Sequence, residues 1–196
     1  RFRGKKNYWS CDYYSVMEKF QIFVQLTRLN QPIGVLLLFW PCSWGLTLGY
    51  YFNGDTNLYL KYIILFFLGS VLMRSAGCIF NDIVDRDLDK KVKRTKKRPI
   101  ASKKNSVQSA FFYIILLCLI ALAILLQFNQ LTIMLGMGSM ILAFAYPFMK
   151  RITYWPQLFL GLAFNWGIIM SWTSIKNIVS IEPVILYLAG IFWTLG

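Results

Sequence analysis

Runs of apolar residues long enough to cross a lipid bilayer, joined by short polar links, constrain this chain more than any other feature. They cover residues 33–51, 58–80, 107–127, 131–149 and 158–175, and a further run occupies 184–196. Inside hydrocarbon a segment must satisfy its own backbone polar groups, so each run is predicted to be a helix. The chain is therefore read as an all-α polytopic membrane protein with six crossings, the last one cut short. Composition agrees: 57% of the 196 residues are hydrophobic and only 15% are charged, and the mean hydropathy is +0.52. Pro41 should kink the first run, and Gly136, Gly138 and Ser139 should let the fourth approach a neighbour closely. Residues 1–30 read as a separate basic segment lying on the membrane surface, with a helix over 15–29 that turns Val16, Phe20, Phe23, Val24 and Leu26 to one face. Residues 31–196 read as one helical bundle.

The net charge of +13 would suggest nucleic acid in a soluble protein. Its placement points to a membrane instead, and no nucleic-acid partner is expected. Segments 1–30, 81–106 and 150–157 hold eighteen of the twenty-one Lys and Arg residues. Lys61 and Lys176 fall on the opposite side, and Arg74 lies within the second run. Positive charge collects on the inner face of a membrane, so those three segments are assigned to the cytoplasmic or matrix side of a bacterial or mitochondrial inner membrane. There is no histidine, which removes the commonest general base and transition-metal ligand. The four cysteines are not spaced as ligands or as a redox pair and read as packing residues.

Four of the eight acidic residues, Asp82, Asp85, Asp87 and Asp89, sit between the second run and the densest cluster of Lys and Arg. Crowded carboxylates stay ionised only beside compensating positive charge, and a hard divalent cation such as Mg²⁺ supplies it. On a helix, Asn81, Asp85 and Asp89 share a stripe, Asp82 borders it, and Arg74 lies two turns deeper on the same face; Asp87 points elsewhere. Such a face suits an amphiphilic anion: a diphosphate held by metal and basic groups, with an apolar tail among the helices. An ordinary set of ion pairs on a solvated helix end, and snorkelling for Arg74, are the alternatives the residues themselves leave open.

The segments Met73-Arg74-Ser75-Ala76-Gly77-Cys78, Asn81-Asp82-Ile83-Val84-Asp85-Arg86-Asp87-Leu88-Asp89 and Arg98-Pro99-Ile100-Ala101 resemble the first aspartate-rich motif of the UbiA-type intramembrane prenyltransferases. Arg28 to Pro41, Tyr146 to Arg151 and Gly161 to Gly167 are similar to further blocks of that family, in its hydroxybenzoate-using branch. The resemblance implies Mg²⁺-dependent transfer of a polyprenyl chain from polyprenyl diphosphate to the ring of 4-hydroxybenzoate, in ubiquinone biosynthesis. It implies metal-diphosphate roles for Asn81, Asp85 and Asp89, with Asp82 beside them. It places Arg74 near the carboxylate of the aromatic acid, Lys150 and Arg151 near the diphosphate, and Arg94 and Arg98 in a loop that closes over the site. It also implies a bundle of about nine helices and a second aspartate-rich motif that these 196 residues do not contain, so the chain alone is expected to be inactive. A cation-binding transporter would carry polar residues through several crossings, whereas these are apolar apart from Arg74. A non-catalytic remnant of the family is the remaining alternative.

Overall fold

The computed structural model describes residues 8–52 and 54–196, with side chains from residue 17 onward except those of Asn53 and Lys150. Eight helices follow one another: α1 (Tyr8–Thr27), α2 (Ile33–Tyr51), α3 (Thr56–Val84), the short α4 (Arg86–Asp89), α5 (Val107–Leu125), α6 (Gln130–Ile152), α7 (Pro156–Lys176) and α8 (Ile181–Leu195). The described residues contain no strand. Local chemistry fixes several starts. Asp55, Ser106 and Asn129 each accept a hydrogen bond from the backbone N–H three residues on, capping α3, α5 and α6. Asn177 ends α7 in the left-handed conformation that closes many helices.

Five helices, α2, α3, α5, α6 and α7, are long and apolar enough to cross a membrane, while α8 is an apolar helix of 15 residues. The five match the predicted runs. Leu60, Ile64, Phe112, Leu119 and Ile141 point outward and are more than half exposed, as side chains facing lipid must be. Pro41 lies inside α2, which continues on both sides of it. The structure departs from the sequence reading in two places. First, α1 spans residues 8–27 rather than 15–29, and it packs through Ile22 and Leu26 while Phe20 is exposed. Second, α3 runs one turn past Phe80, carrying Asn81 and Asp82 into the helix.

The closest seam joins α2 to α7. A Cβ added at Gly45 would collide with the Ile168 carbonyl oxygen and the Ser171 hydroxyl, and one at Gly167 with the Cys42 sulfur. Small residues here let two backbones approach, the usual way helices associate where burial from water supplies little drive. A second core, built from Leu26, Ala76, Ile79, Ile100, Ala110 and Ile114, ties α1 and the charged loop to the inner ends of α3 and α5. The loop is thus anchored through a buried isoleucine at the end of the bundle where the aspartates lie.

Candidate functional site

The end of α3 builds the site. After Val84 the chain leaves helical geometry at Asp85 and forms the single turn α4. Asp82 is 2% exposed, and its Oδ1 accepts from Arg28 Nη2 at 2.6 Å and from Arg98 Nη1 at 3.1 Å. The same Arg98 nitrogen donates to Asp89 Oδ2 at 2.8 Å, and the Thr95 hydroxyl donates to the Asp89 carbonyl. Asp85 is served separately, its Oδ1 accepting from Arg151 Nη2 at 3.0 Å, a group that also donates to the Val84 carbonyl. The stripe of Asn81, Asp85 and Asp89 keeps its helical links, the Asp85 N–H donating to the Asn81 carbonyl and the Asp89 N–H to the Asp85 carbonyl, but its members take different partners: Asp89 shares Arg98 with Asp82, while Asp85 takes Arg151. Buried carboxylates persist only when paired in this way. Asp87 stands outside on the solvent side, where hydrogen bonds from Lys90 and Arg86 hold its carboxyl down to about 2.

Above this cluster a hollow of about 680 Å³ opens among α2, α3, α5, α6 and α7. Arg28, Asn81, Arg74 and Tyr146 line its polar part, and Leu65, Ile115, Leu122 and Met137 are among the apolar side chains that line the rest. Arg74 lies 5.9 Å over the ring of Phe164. Gly34 makes room for it, since a Cβ there would stand 2.6 Å from Arg74 Nε. Among the described residues no carboxylate pairs with that guanidinium. An unpaired cation at such depth costs several kcal/mol unless something anionic meets it.

The fold thus gathers Asp82, Asp85, Asp89, Arg98 and Arg151 at one end of the bundle, beside a hollow lined by Arg74 and Asn81. Arg94, expected in the closing loop, is exposed and is not among the cations that pair with Asp82, Asp85 or Asp89. The Lys150 side chain lies outside the described residues. Sequence reasoning gives Arg28 no role, although it shares Asp82 with Arg98 and lines the hollow. Its signal is local: a basic residue just before an apolar run, here with a φ of 54°, a conformation seldom adopted outside Gly and Asn. Tyr146 and Phe164 carry no polar pattern that could single them out.

The donor set suits a hard cation. Asn81, Asp85 and Asp89 offer amide and carboxylate oxygens, which Mg²⁺ prefers. Among the described residues no three acidic or thiol side chains enclose a metal position by themselves.

Comparison with known proteins points the same way. The model of the UbiA prenyltransferase family matches residues 38–196. The chain is 44% identical over 179 residues to the mitochondrial 4-hydroxybenzoate polyprenyltransferase of Arabidopsis thaliana, covering 91% of this chain and 44% of that protein. It is 42% identical over 174 residues to a 4-hydroxybenzoate octaprenyltransferase of Pseudomonas aeruginosa, covering 89% of this chain and 57% of that one. The chain thus spans about half the length of these curated relatives. In fold it resembles a UbiA homolog from Archaeoglobus fulgidus bound to DMAPP and Mg²⁺, with a TM-score of 0.72 at 21% identity, over 88% of this chain and 60% of the other. An apo UbiA homolog from Aeropyrum pernix K1 gives 0.70 at 24% identity, over 82% and 60%. With the matched model covering the bundle from α2 to α8, the chain belongs to the UbiA prenyltransferase family.

Proposed function

We propose that this chain carries the part of a polyprenyltransferase site that binds polyprenyl diphosphate and 4-hydroxybenzoate, for Mg²⁺-dependent transfer of the prenyl group to the aromatic ring in ubiquinone biosynthesis. The observation that carries the reading is Arg74: a guanidinium with no acidic partner among the described residues, at the wall of a largely apolar hollow that ends near three aspartates. A carboxylated ring fits against Arg74, and an apolar chain fits among the helices. The names of the curated relatives support this pairing of donor and acceptor.

Each residue then has a physical task. Asn81, Asp85 and Asp89 would hold Mg²⁺, which when bound supplies charge neutralisation for the departing diphosphate. Arg151 and Lys150 would meet the remaining phosphate oxygens, and Arg98, which donates to both Asp82 and Asp89, orients those carboxylates. Arg74 orients the acceptor ring by its carboxylate, and the apolar walls exclude water from the cation left by allylic C–O cleavage. The protein sits in a bacterial or mitochondrial inner membrane, with the aspartates towards cytoplasm or matrix.

The test uses the full-length protein reconstituted in vesicles. Prenylation of 4-hydroxybenzoate should vanish with EDTA and return with added Mg²⁺. Arg74→Ala should raise the KM for 4-hydroxybenzoate about tenfold or more, the worth of one charge-assisted contact, with little change in that for the diphosphate. Activity that survives chelation overturns the metal role, and equal effects on both substrates overturn the placement of the ring.

A further inference from the structure

A second pocket lies where the charged loop returns to α5, and none of the residues lining it joins the ion pairs around Asp82 and Asp89. It measures about 290 Å³ and is lined by Arg86, Lys90, Lys103, Asn105 and Ser106, with Ile100 at its apolar side. Three cations share a small concave space. Asp87, which pairs with Arg86 and Lys90, is not part of the lining, so these groups keep a net charge of about +2 at neutral pH. The side-chain nitrogen of Asn105 is buried and has no hydrogen-bond acceptor. A buried donor left unmade costs about 1–3 kcal/mol, and an anion oxygen would relieve it. Val107, the first residue of α5, also borders the pocket, adding the partial positive charge of a helix start.

We propose that this pocket binds a phosphate-bearing anion at the membrane surface, either the phosphodiester headgroup of an anionic lipid or free phosphate. The chemistry fits phosphate better than carboxylate: several donors of different reach converge, and a tetrahedral anion can accept from all of them at once. Position favours the lipid source. The pocket lies at the end of the bundle where α3 and α5 leave their apolar stretches, which is the level of the headgroups, and basic pockets at that level recruit anionic lipids. Bound there, a lipid would pin the same loop that carries Arg98, since Ile100 borders the pocket while packing into the core with Leu26 and Ile79.

Lys103 offers a clean variant because its φ is 61°. Lys103→Gly removes the charge and relieves that backbone conformation, so the protein should fold at least as well. Full-length protein would be equilibrated with phosphatidylglycerol or phosphatidylcholine and examined by native mass spectrometry for retained lipid. A parallel arm titrates inorganic phosphate in lipid-free detergent by phosphorus NMR. The expected result is selective retention of phosphatidylglycerol, weakened about tenfold in Lys103→Gly and in Asn105→Leu and unchanged in Lys93→Gly, which alters the charge of the same loop outside the pocket. Saturable phosphate binding lost in Lys103→Gly, with no lipid preference, assigns the site to free phosphate. The proposal is overturned if neither probe binds, or if Lys93→Gly weakens binding as much as Lys103→Gly, because the attraction would then be diffuse.

Discussion

The two ends of the bundle both bury polar side chains, yet they do so by opposite means. At the end of α5 and start of α6, Asn129 donates to the carbonyls of Thr173 and Ser174 at 2.6 and 3.1 Å and accepts from the Thr132 N–H. Thr132 and Thr173, both wholly buried, share a hydrogen bond of 3.0 Å. Every group in that knot is neutral and is hydrogen-bonded to another member or to a helix carbonyl, as Thr173 is to that of Met170. At the other end Asp82 and Asp89 are buried with two arginines, each about a quarter exposed, beside a hollow and a third aspartate. A neutral knot joins helices at little electrostatic cost. A charged one is expensive to assemble, and apolar packing of the same shape would serve stability as well or better. Its persistence next to an open cavity is what a ligand-binding role requires of it.

The largest effect that separates the two ends is expected at Asp82. Asp82→Ala leaves Arg28 and Arg98 facing each other across a buried space, which should cost about 3 kcal/mol, the low end for a broken buried pair because both arginines can turn to solvent. Prenyl transfer by the full-length protein should be lost as well. Adding Arg28→Ala to Asp82→Ala should restore part of the stability without restoring activity, because Arg98 still pairs with Asp89, and thermal melts of the two single variants and the double variant would measure the coupling. Additive losses would mean that the cluster is not one electrostatic unit.

At the neutral end the expected effect is smaller and confined to stability. Asn129→Ala removes the α6 cap and two hydrogen bonds to the end of α7, worth about 2 kcal/mol together. The protein that remains folded should turn over at the normal rate with unchanged KM for both substrates. A selective rise in either KM would make this knot part of the site and erase the contrast between the two ends.

Much of this architecture is legible in the order of the residues. Five crossings follow from apolar run length, because hydrocarbon admits almost no alternative to a helix of that size. The gathering of Asp82, Asp85 and Asp89 with basic residues follows from charge placement, which puts Arg98 and Arg151 on the same face as the aspartates. The pairing of partners is not legible. Periodicity sets Asp85 and Asp89 on one stripe, but it does not say that Asp89 shares Arg98 with Asp82 while Asp85 takes Arg151. Arg28 is fifty-four positions from Asp82 in the chain, and its approach depends on how α1 docks against α3, which no local pattern encodes. The seam at Gly45 and Gly167 is equally silent: the stripe that the sequence suggests for close packing lies in α6, where Gly136 does admit Leu125 closely while Gly138 faces open space, and nothing in the sequence singles out the approach of α2 to α7.

The smallest expected effect belongs to Asp87, the one aspartate of the motif that faces solvent. Its carboxyl is lowered from 3.8 to about 2 by hydrogen bonds from Lys90 and Arg86. A lowered value in the folded state contributes stability above the unfolded value and loses it as pH falls through the folded one. The contribution is therefore present at neutral pH and disappears between about pH 4 and pH 2, and solvent screening keeps it slight throughout. Asp87→Asn should melt close to the wild-type temperature at pH 7, with the remaining gap closing on acidification, and should transfer prenyl groups at the wild-type rate. Salt should shrink the gap further, since exposed pairs are screened over about 10 Å at 0.1 M. A loss of activity in Asp87→Asn comparable to that of Asp82→Ala would show that sequence proximity to the aspartate cluster matters more than burial beside the hollow, and the division between the motif's inner and outer carboxylates would fail.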